Sequence, residues 1–423
     1  MDLSAQEVID GILSKQATET PSDSVKLEEL LDLELPKWFD EKKYNQGRRF
    51  YWDNCFSLTT SMLMGLLAVL AVPSILNILI SSRRSSSQYT SYKRYLSTIL
   101  HTNSWFESEL KPGTTSWKSL YTVRSRHLKA GLAAKLQGLG MVSQRDLALT
   151  QFGFIGFSIL KPDKLGVRQI QEFDWDVYCH TWAVIGHMIG LQDRYNLCRR
   201  NVEETRQVCQ AILDRVYTPC LENVPEYFEH MARVLLESMW CINPTINVES
   251  ALYAVKQLAD VPGYIYTEAD RIELQRRIRE KLKGKPIDSG VDSRELISAP
   301  AVAGLPARAP RLLHLRDYET IDQAPEYSSL PFWSKYNLNL TYLVMFFHTT
   351  FLGRIYFKLN YLYSLWLMKY CPYLAFFKFG IRNSFVNIFK EDPTDDTKPK
   401  PNSEYNKPKP PETWFRIILG AFW

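Results

Sequence analysis

The sequence predicts an all-α protein. Three observations carry that expectation: apolar residues recur at helical spacing along most of the chain, helix ends are marked by capping residues and by Gly or Pro, and strand signals are nearly absent. With 423 residues, 45% of them hydrophobic and 13% aromatic, the chain holds enough apolar side chains for one large or two ordinary domains, which excludes disorder throughout. The 51 basic and 46 acidic residues leave a net charge of +5 without a concentrated basic stripe, so nucleic acid is not an expected partner. Seven cysteines, odd in number and without a Cys-x-x-Cys pair, argue against a disulfide scaffold or zinc ribbon and are expected as reduced, mostly buried thiols. The N-terminus has no basic patch followed by an apolar core, so no secretory signal is expected and the chain should face a reducing compartment.

Along the chain, Ser4 and Glu7 form a capping box for a first helix to about residue 15, and 27–39 is a second amphipathic candidate. Residues 1–44 are therefore expected as accessory helices outside the main core, which is assigned to 45–284. The run FSLTTSMLMGLLAVLAVPSILNILIS, residues 56–81, carries no charge. It reaches the length of about 20 residues that spans a bilayer. Pro73 in its middle, with Thr59, Thr60, Ser61 and Asn77, suits instead a buried helix pair, and both alternatives stay open at this point. Helices are expected at 118–137, at 143–160 after the opening Ser-Gln-Arg-Asp, at 169–191 up to Gly190 and Asp193, and at 203–217, 225–240, 248–258 and 268–283. Residues 285–310, rich in Pro, Gly, Ser and Ala, read as a linker or long loop. Residues 311–390 are dense in aromatics and interrupted by Lys335, Arg354, Lys358, Lys369 and Lys378. Such a pattern suits helices lying in a membrane interface better than a clean span, the alternative being helices packed on the core. The tail, 391–423, is Pro, Lys and Asp rich and expected to be mostly disordered, with an apolar end, TWFRIILGAFW.

Several chemistries are excluded by inspection: there is no GxSxG elbow, no GxxxxGK[ST] loop, no HExxH and no GxGxxG. What remains is a set of histidines on apolar helices. In YCHTWAVIGHMIG, residues 178–190, His180 and His187 lie seven apart on the face that also carries Ala183 and Val184. A buried imidazole there needs a hydrogen-bond partner or a metal. In LYTVRSRHLKAGLAAKL, Arg124 and His127 are three apart, so one stands above the other on a helix. A guanidinium beside an imidazole suits an anionic or oxygen-bearing ligand, and haem offers both propionates and iron.

The order of three motifs is more specific than any one. TVRSRHLKAGL, then MVSQRDLALTQFGFIGFSIL, then YCHTWAVIGHMIGL resembles the latex clearing protein and MpaB-type family of haem oxygenases. The matching positions are Val123, Arg124 and His127; Ser143, Gln144, Asp146 and Leu147; and His180, Trp182, Gly186, His187 and Gly190, within 45–260. The resemblance implies a globin-like all-α domain that holds haem b and cleaves carbon–carbon double bonds of isoprenoid or lipid chains with dioxygen. It also implies a hydrophobic substrate and an intracellular, membrane-associated location, the cytosolic face of the endoplasmic reticulum being one candidate. Members of the family carry their proximal histidine early in the helix that here spans 146–160, which has none. The iron ligands implied here are therefore His180, with His187 one repeat away, and His127, which stands where the family has a distal lysine beside the arginine matching Arg124. A glutamate upstream of that arginine serves the family as base; Glu107 and Glu109 are the nearby carboxylates, and Glu109 is the one assigned with Arg124 to catalysis. The competing expectation, favoured by the lost proximal histidine, is a non-catalytic protein of the same fold that binds a hydrophobic ligand or membrane partner.

Overall fold

Ser4 accepts the Glu7 N–H while the Glu7 carboxylate accepts the Ser4 N–H at 2.7 Å, the capping box that starts α1 (Ala5–Leu13). In the computed structural model, which describes residues 3–23, 33–169, 171, 173–261, 320, 322 and 324–405, helix follows helix, and the described residues form no strand beyond one isolated bridge between Pro21 and Ser143. The all-α expectation holds. The expectation that the first helix lies outside the core does not: Val8 and Ile12 are fully buried, because the apolar face of α1 is covered by later helices. A short α2 (Lys15–Glu19) follows. Of the helix expected at 27–39, residues 27–32 lie outside the described residues, and 33–39 are irregular. Pro36 removes the N–H that a helix there would use.

The centre of the molecule is built from α3 (Glu41–Asp53), α4 (Cys55–Val69), α5 (Pro73–Ser81), α6 (Gln88–Glu107), α7 (Thr115–Leu136), α8 (Gln144–Leu160) and α9 (Asp174–Met188). The charge-free run at 56–81 becomes α4 and α5, bent against each other by 91° with Pro73 opening the second helix. Among the described residues no single helix is long and apolar enough to cross a membrane. Helix α4 instead crosses α8 closely, and a Cβ on Gly65 would overlap the carbonyl group of Gly153. Two glycines let the backbones approach so that Leu58, Met62, Leu67, Ala68 and Val69 are buried in the same core as Phe152, Ile155 and Ile159.

Next come α10 (Val202–Ile212), which runs into a single wide turn at Leu213–Tyr217, then α11 (Thr218–Glu222), α12 (Phe228–Met239) and α13 (Val248–Leu258). The expected helix at 268–283 and linker at 285–310 lie outside the described residues. The aromatic region forms a hairpin of α14 (Phe332–His348) and α15 (Phe351–Tyr370), followed by α16 (Tyr373–Phe379). One side of this hairpin is seated on the core. The Tyr361 hydroxyl donates to Asn103 Oδ1 at 2.8 Å, and His348 Nδ1 lies 3.0 Å from Ser57 Oγ and 2.9 Å from Gly166 O.

The tail was expected to be disordered from 391. Through residue 405 it is instead tied down: Glu391 pairs with Arg84 at 2.7 Å and Lys129 at 3.1 Å, Asp396 pairs with Arg83 at 2.7 Å, and Tyr405 bonds His230 Nδ1 at 2.7 Å. Composition missed this because the acidic residues of the tail meet a basic surface made by other parts of the chain. Its apolar end lies outside the described residues. Replacing Gly65 by Ala puts a methyl group where the α8 backbone runs, and should destabilise the protein by about 2 kcal/mol or more. Denaturant unfolding checks this; an unchanged midpoint would contradict the close crossing.

Candidate functional site

His180 and His187 lie on α9 beneath one indole. The Trp38 ring meets both imidazoles edge-on, with centroids 5.7 Å and 6.0 Å away. The Asp40 N–H donates to His180 Nε2 at 3.2 Å, His187 Nδ1 lies 3.0 Å from Asp193 Oδ1, and Trp38 Nε1 donates to Asp193 Oδ2 at 2.8 Å. Burial and Lys43 push the His180 pKa down, outweighing Asp40. Burial works to raise the Asp193 carboxyl, but the hydrogen bonds from His187 and Trp38 outweigh it and hold it low. The pair of imidazoles thus fastens the irregular stretch at 38–40 to α9 through one nitrogen of each ring. That stretch also borders a shallow, open surface depression lined by Trp38, Phe39, Asp40, Glu41 and neighbouring residues.

The second motif, at the start of α8, is a junction. Ser143 and Asp146 make the capping box, and Asp146 also accepts from Ser74 Oγ at 2.7 Å. Gln144 Nε2 donates to Ser22 O at 3.0 Å and Gly190 O at 2.9 Å, and its Oε1 accepts the Gln192 N–H at 2.9 Å. One turn pair later, Gln151 Nε2 donates to Trp182 O at 3.0 Å and Asn196 Oδ1 at 3.1 Å, while Oε1 accepts the Leu197 N–H at 3.0 Å. Gly190, at φ +103°, sits where a Cβ would come 2.9 Å from Ser22 O, so a side chain there would break the junction. Sequence inspection gave Gln151 no role. Its signal, a glutamine flanked by the apolar middle of the helix, says only that a buried amide has partners somewhere.

Arg124 and His127 share α7 but meet different neighbours. Arg124 grips Asp23 in bidentate fashion, Nε to Oδ2 at 2.6 Å and Nη2 to Oδ1 at 3.0 Å, beside Gly190. His127 belongs with α6: burial, Arg94 and Arg126 push its pKa down to about 4, and its Nδ1 is buried with no hydrogen-bond partner. Close by, His101 is fully engaged, Nδ1 with Ser119 Oγ at 2.7 Å and Nε2 with Arg126 Nη1 at 3.2 Å. The shared ligand expected for Arg124 and His127 is therefore not assembled; a short Arg-x-x-His spacing fixes the helix face within one turn but not what packs against each residue. Glu109 is exposed and bonded to Lys111 at 2.8 Å, which holds its carboxyl below the usual range. A general base at neutral pH needs the opposite shift. Glu107 is paired with Lys369.

For a cofactor, the donors are few. Among the described residues no group of three or more His, Cys, Asp or Glu gathers to hold a metal ion, and the seven cysteines are unpaired thiols, five of them buried. A porphyrin brings four nitrogens of its own and asks the protein for one neutral imidazole. His127 meets that requirement, being held neutral with an unpartnered nitrogen. His180 meets it less well, since its Nε2 already accepts the Asp40 N–H.

Against known proteins, no family model matches the chain. Over 95 residues it is 32% identical to the Rubber oxygenase of Streptomyces sp. (strain K30). Through that stretch the chain is similar to a rubber oxygenase. The match covers 22% of this chain and 21% of the relative, so the two share about a fifth of the relative's length. A solved structure, latex clearing protein in the closed state, superposes with a TM-score of 0.44 at 14% identity, covering 80% of this chain and 86% of that one.

The unpartnered imidazole makes a pH prediction. The folded protein keeps His127 neutral down to about 4, whereas the unfolded chain takes the proton near 6.5, so unfolding gains protons in between. The contribution of this group is present above 6.5 and is lost as the pH falls toward 4. His127→Gln should flatten the fall of Tm across that window relative to the parent protein. An identical pH slope in the variant would contradict the assignment.

Proposed function

We propose that this chain is a haem-dependent oxygenase that uses dioxygen on an apolar, isoprenoid or lipid substrate at an intracellular membrane surface. The carrying observation is the buried, unpartnered Nδ1 of His127, together with the stretch of sequence shared with a rubber oxygenase. Haem b, when bound, supplies the oxygen chemistry that cleaves a carbon–carbon double bond. The residues of this chain do the rest. His127 would hold the iron through a nitrogen lone pair, which burial, Arg94 and Arg126 keep unprotonated. Arg124 is a positioning residue: through Asp23 it holds the N-terminal segment against the end of α9. His180 and His187 act on the stretch at 38–40.

A second function, a non-catalytic protein that binds an apolar ligand or a membrane partner, is favoured by one specific observation. The helix that carries the proximal histidine in the family has none here, and His180 and His187 have structural partners.

The deciding experiment is the ultraviolet–visible spectrum of the purified protein, as isolated and after dithionite, with haem quantified as the pyridine haemochrome. The proposal expects a near-stoichiometric Soret band that shifts on reduction, and oxygen uptake with carbonyl products when isoprenoid chains are added. A flat visible spectrum after expression with ample haem overturns it in favour of the second function.

A further inference from the structure

Among the described residues, most of the exposed large apolar side chains are concentrated between Phe332 and Phe389. On α15 they form a stripe at alternating spacings of four and three: Leu352, Tyr356, Leu359, Tyr363, Trp366 and Tyr370 are all exposed, with Leu352 at 70% and Tyr370 at 66%. The opposite side of the same helix, with Tyr361, Leu365 and Met368, is buried on the core. Helix α15 thus carries apolar side chains on two opposite sides, and only one of them is used by the fold. Helix α14 adds Leu343 and Phe346 to the uncovered side.

The charge of this region says what covers it. Between Glu326 and Glu391 the sequence contains no Asp or Glu, while seven Lys and Arg residues fall in the interval. Two of these reach back to acids of the core, Lys358 to Asp53 at 3.0 Å and Lys369 to Glu107. The hairpin itself has no carboxylate with which to neutralise any of them. Two copies of such a face would bring like charges together, which costs association free energy. An anionic lipid surface answers both features: its headgroups take the cations, and the boundary between headgroups and acyl chains takes Trp, Tyr, Phe and Leu.

We propose that the uncovered side of the α14–α15 hairpin is a monotopic membrane-binding surface that lies in the headgroup layer of an anionic bilayer, with Leu352, Leu359 and Trp366 among the side chains that enter it. This deepens the membrane placement proposed above and rests on that placement, but not on haem or on oxygenase activity. It also gives the apolar substrate a source, since a chain dissolved in the bilayer reaches the protein without crossing water.

The test is flotation of the full chain with vesicles of phosphatidylcholine alone and with vesicles containing about 30% phosphatidylserine. The parent protein should float with the anionic vesicles, more weakly with the neutral ones, and less as salt is raised. The variant Leu359→Ser/Trp366→Ser should lose about tenfold or more of its binding to the anionic vesicles. Both residues are exposed, so its Tm and haem content should match the parent protein, which separates failure of this surface from failure of the oxygenase assignment. Absence of parent binding to anionic vesicles overturns the proposal, as does a variant that binds like the parent. A variant that changes oligomeric state while still floating also overturns it and makes the face a contact between protein chains.

Discussion

An imidazole taken out of water must find a partner for each ring nitrogen or leave one of them unsatisfied at a cost of about 1–3 kcal/mol. That constraint sorts the six histidines among the described residues. His101 and His230 are bonded through both nitrogens, His348 reaches Ser57 and Gly166, His180 accepts an amide and His187 meets a carboxylate. His127 keeps a buried Nδ1 without a partner, and burial together with two guanidinium groups holds it neutral. An unsatisfied donor or acceptor that the surrounding fold tolerates is a place to look for a ligand. The partnered histidines have a different role, fastening irregular backbone to helices.

The rest of the core serves the same arrangement. The glycine crossing of α4 and α8 brings α8 to the centre, where Gln144 and Gln151 each bind backbone from two separate segments. Gly190 and the Arg124–Asp23 pair close the same junction from the side of α7. The second of the three motifs of the latex clearing protein resemblance is therefore spent on holding helices together. A relationship built on such residues speaks for a shared scaffold more strongly than for a shared reaction.

Much of the architecture was legible in the sequence because it rests on local signals. Capping pairs such as Ser4 with Glu7 and Ser143 with Asp146 begin helices where expected, and the helix at Val248–Leu258 matches its expected bounds. Pro73 marked the bend that turns a charge-free run into a helix pair. What was not legible depends on long-range contacts. The spacing of His180 and His187 showed that both face one way, but not that Trp38, some 140 residues earlier, stands between them. The acidic tail looked solvated because its basic partners, Arg83, Arg84 and Lys129, are distant in sequence. The candidate ligands ranked differently for the same reason: only tertiary packing shows that His180 Nε2 already accepts an N–H and that His127 Nδ1 is buried without a partner.

The central claim is that His127, rather than His180, is the imidazole free to hold a cofactor. The most direct measurement is haem stoichiometry, as the pyridine haemochrome, in purified His127→Ala and His180→Ala expressed side by side with ample haem. The account predicts that His127→Ala loses most of its haem while His180→Ala, which gives up the bond to the Asp40 N–H and the ring contacts with Trp38 and Phe39, retains it. Loss in His180→Ala with full retention in His127→Ala would contradict it and return the iron to the helix at Asp174–Met188.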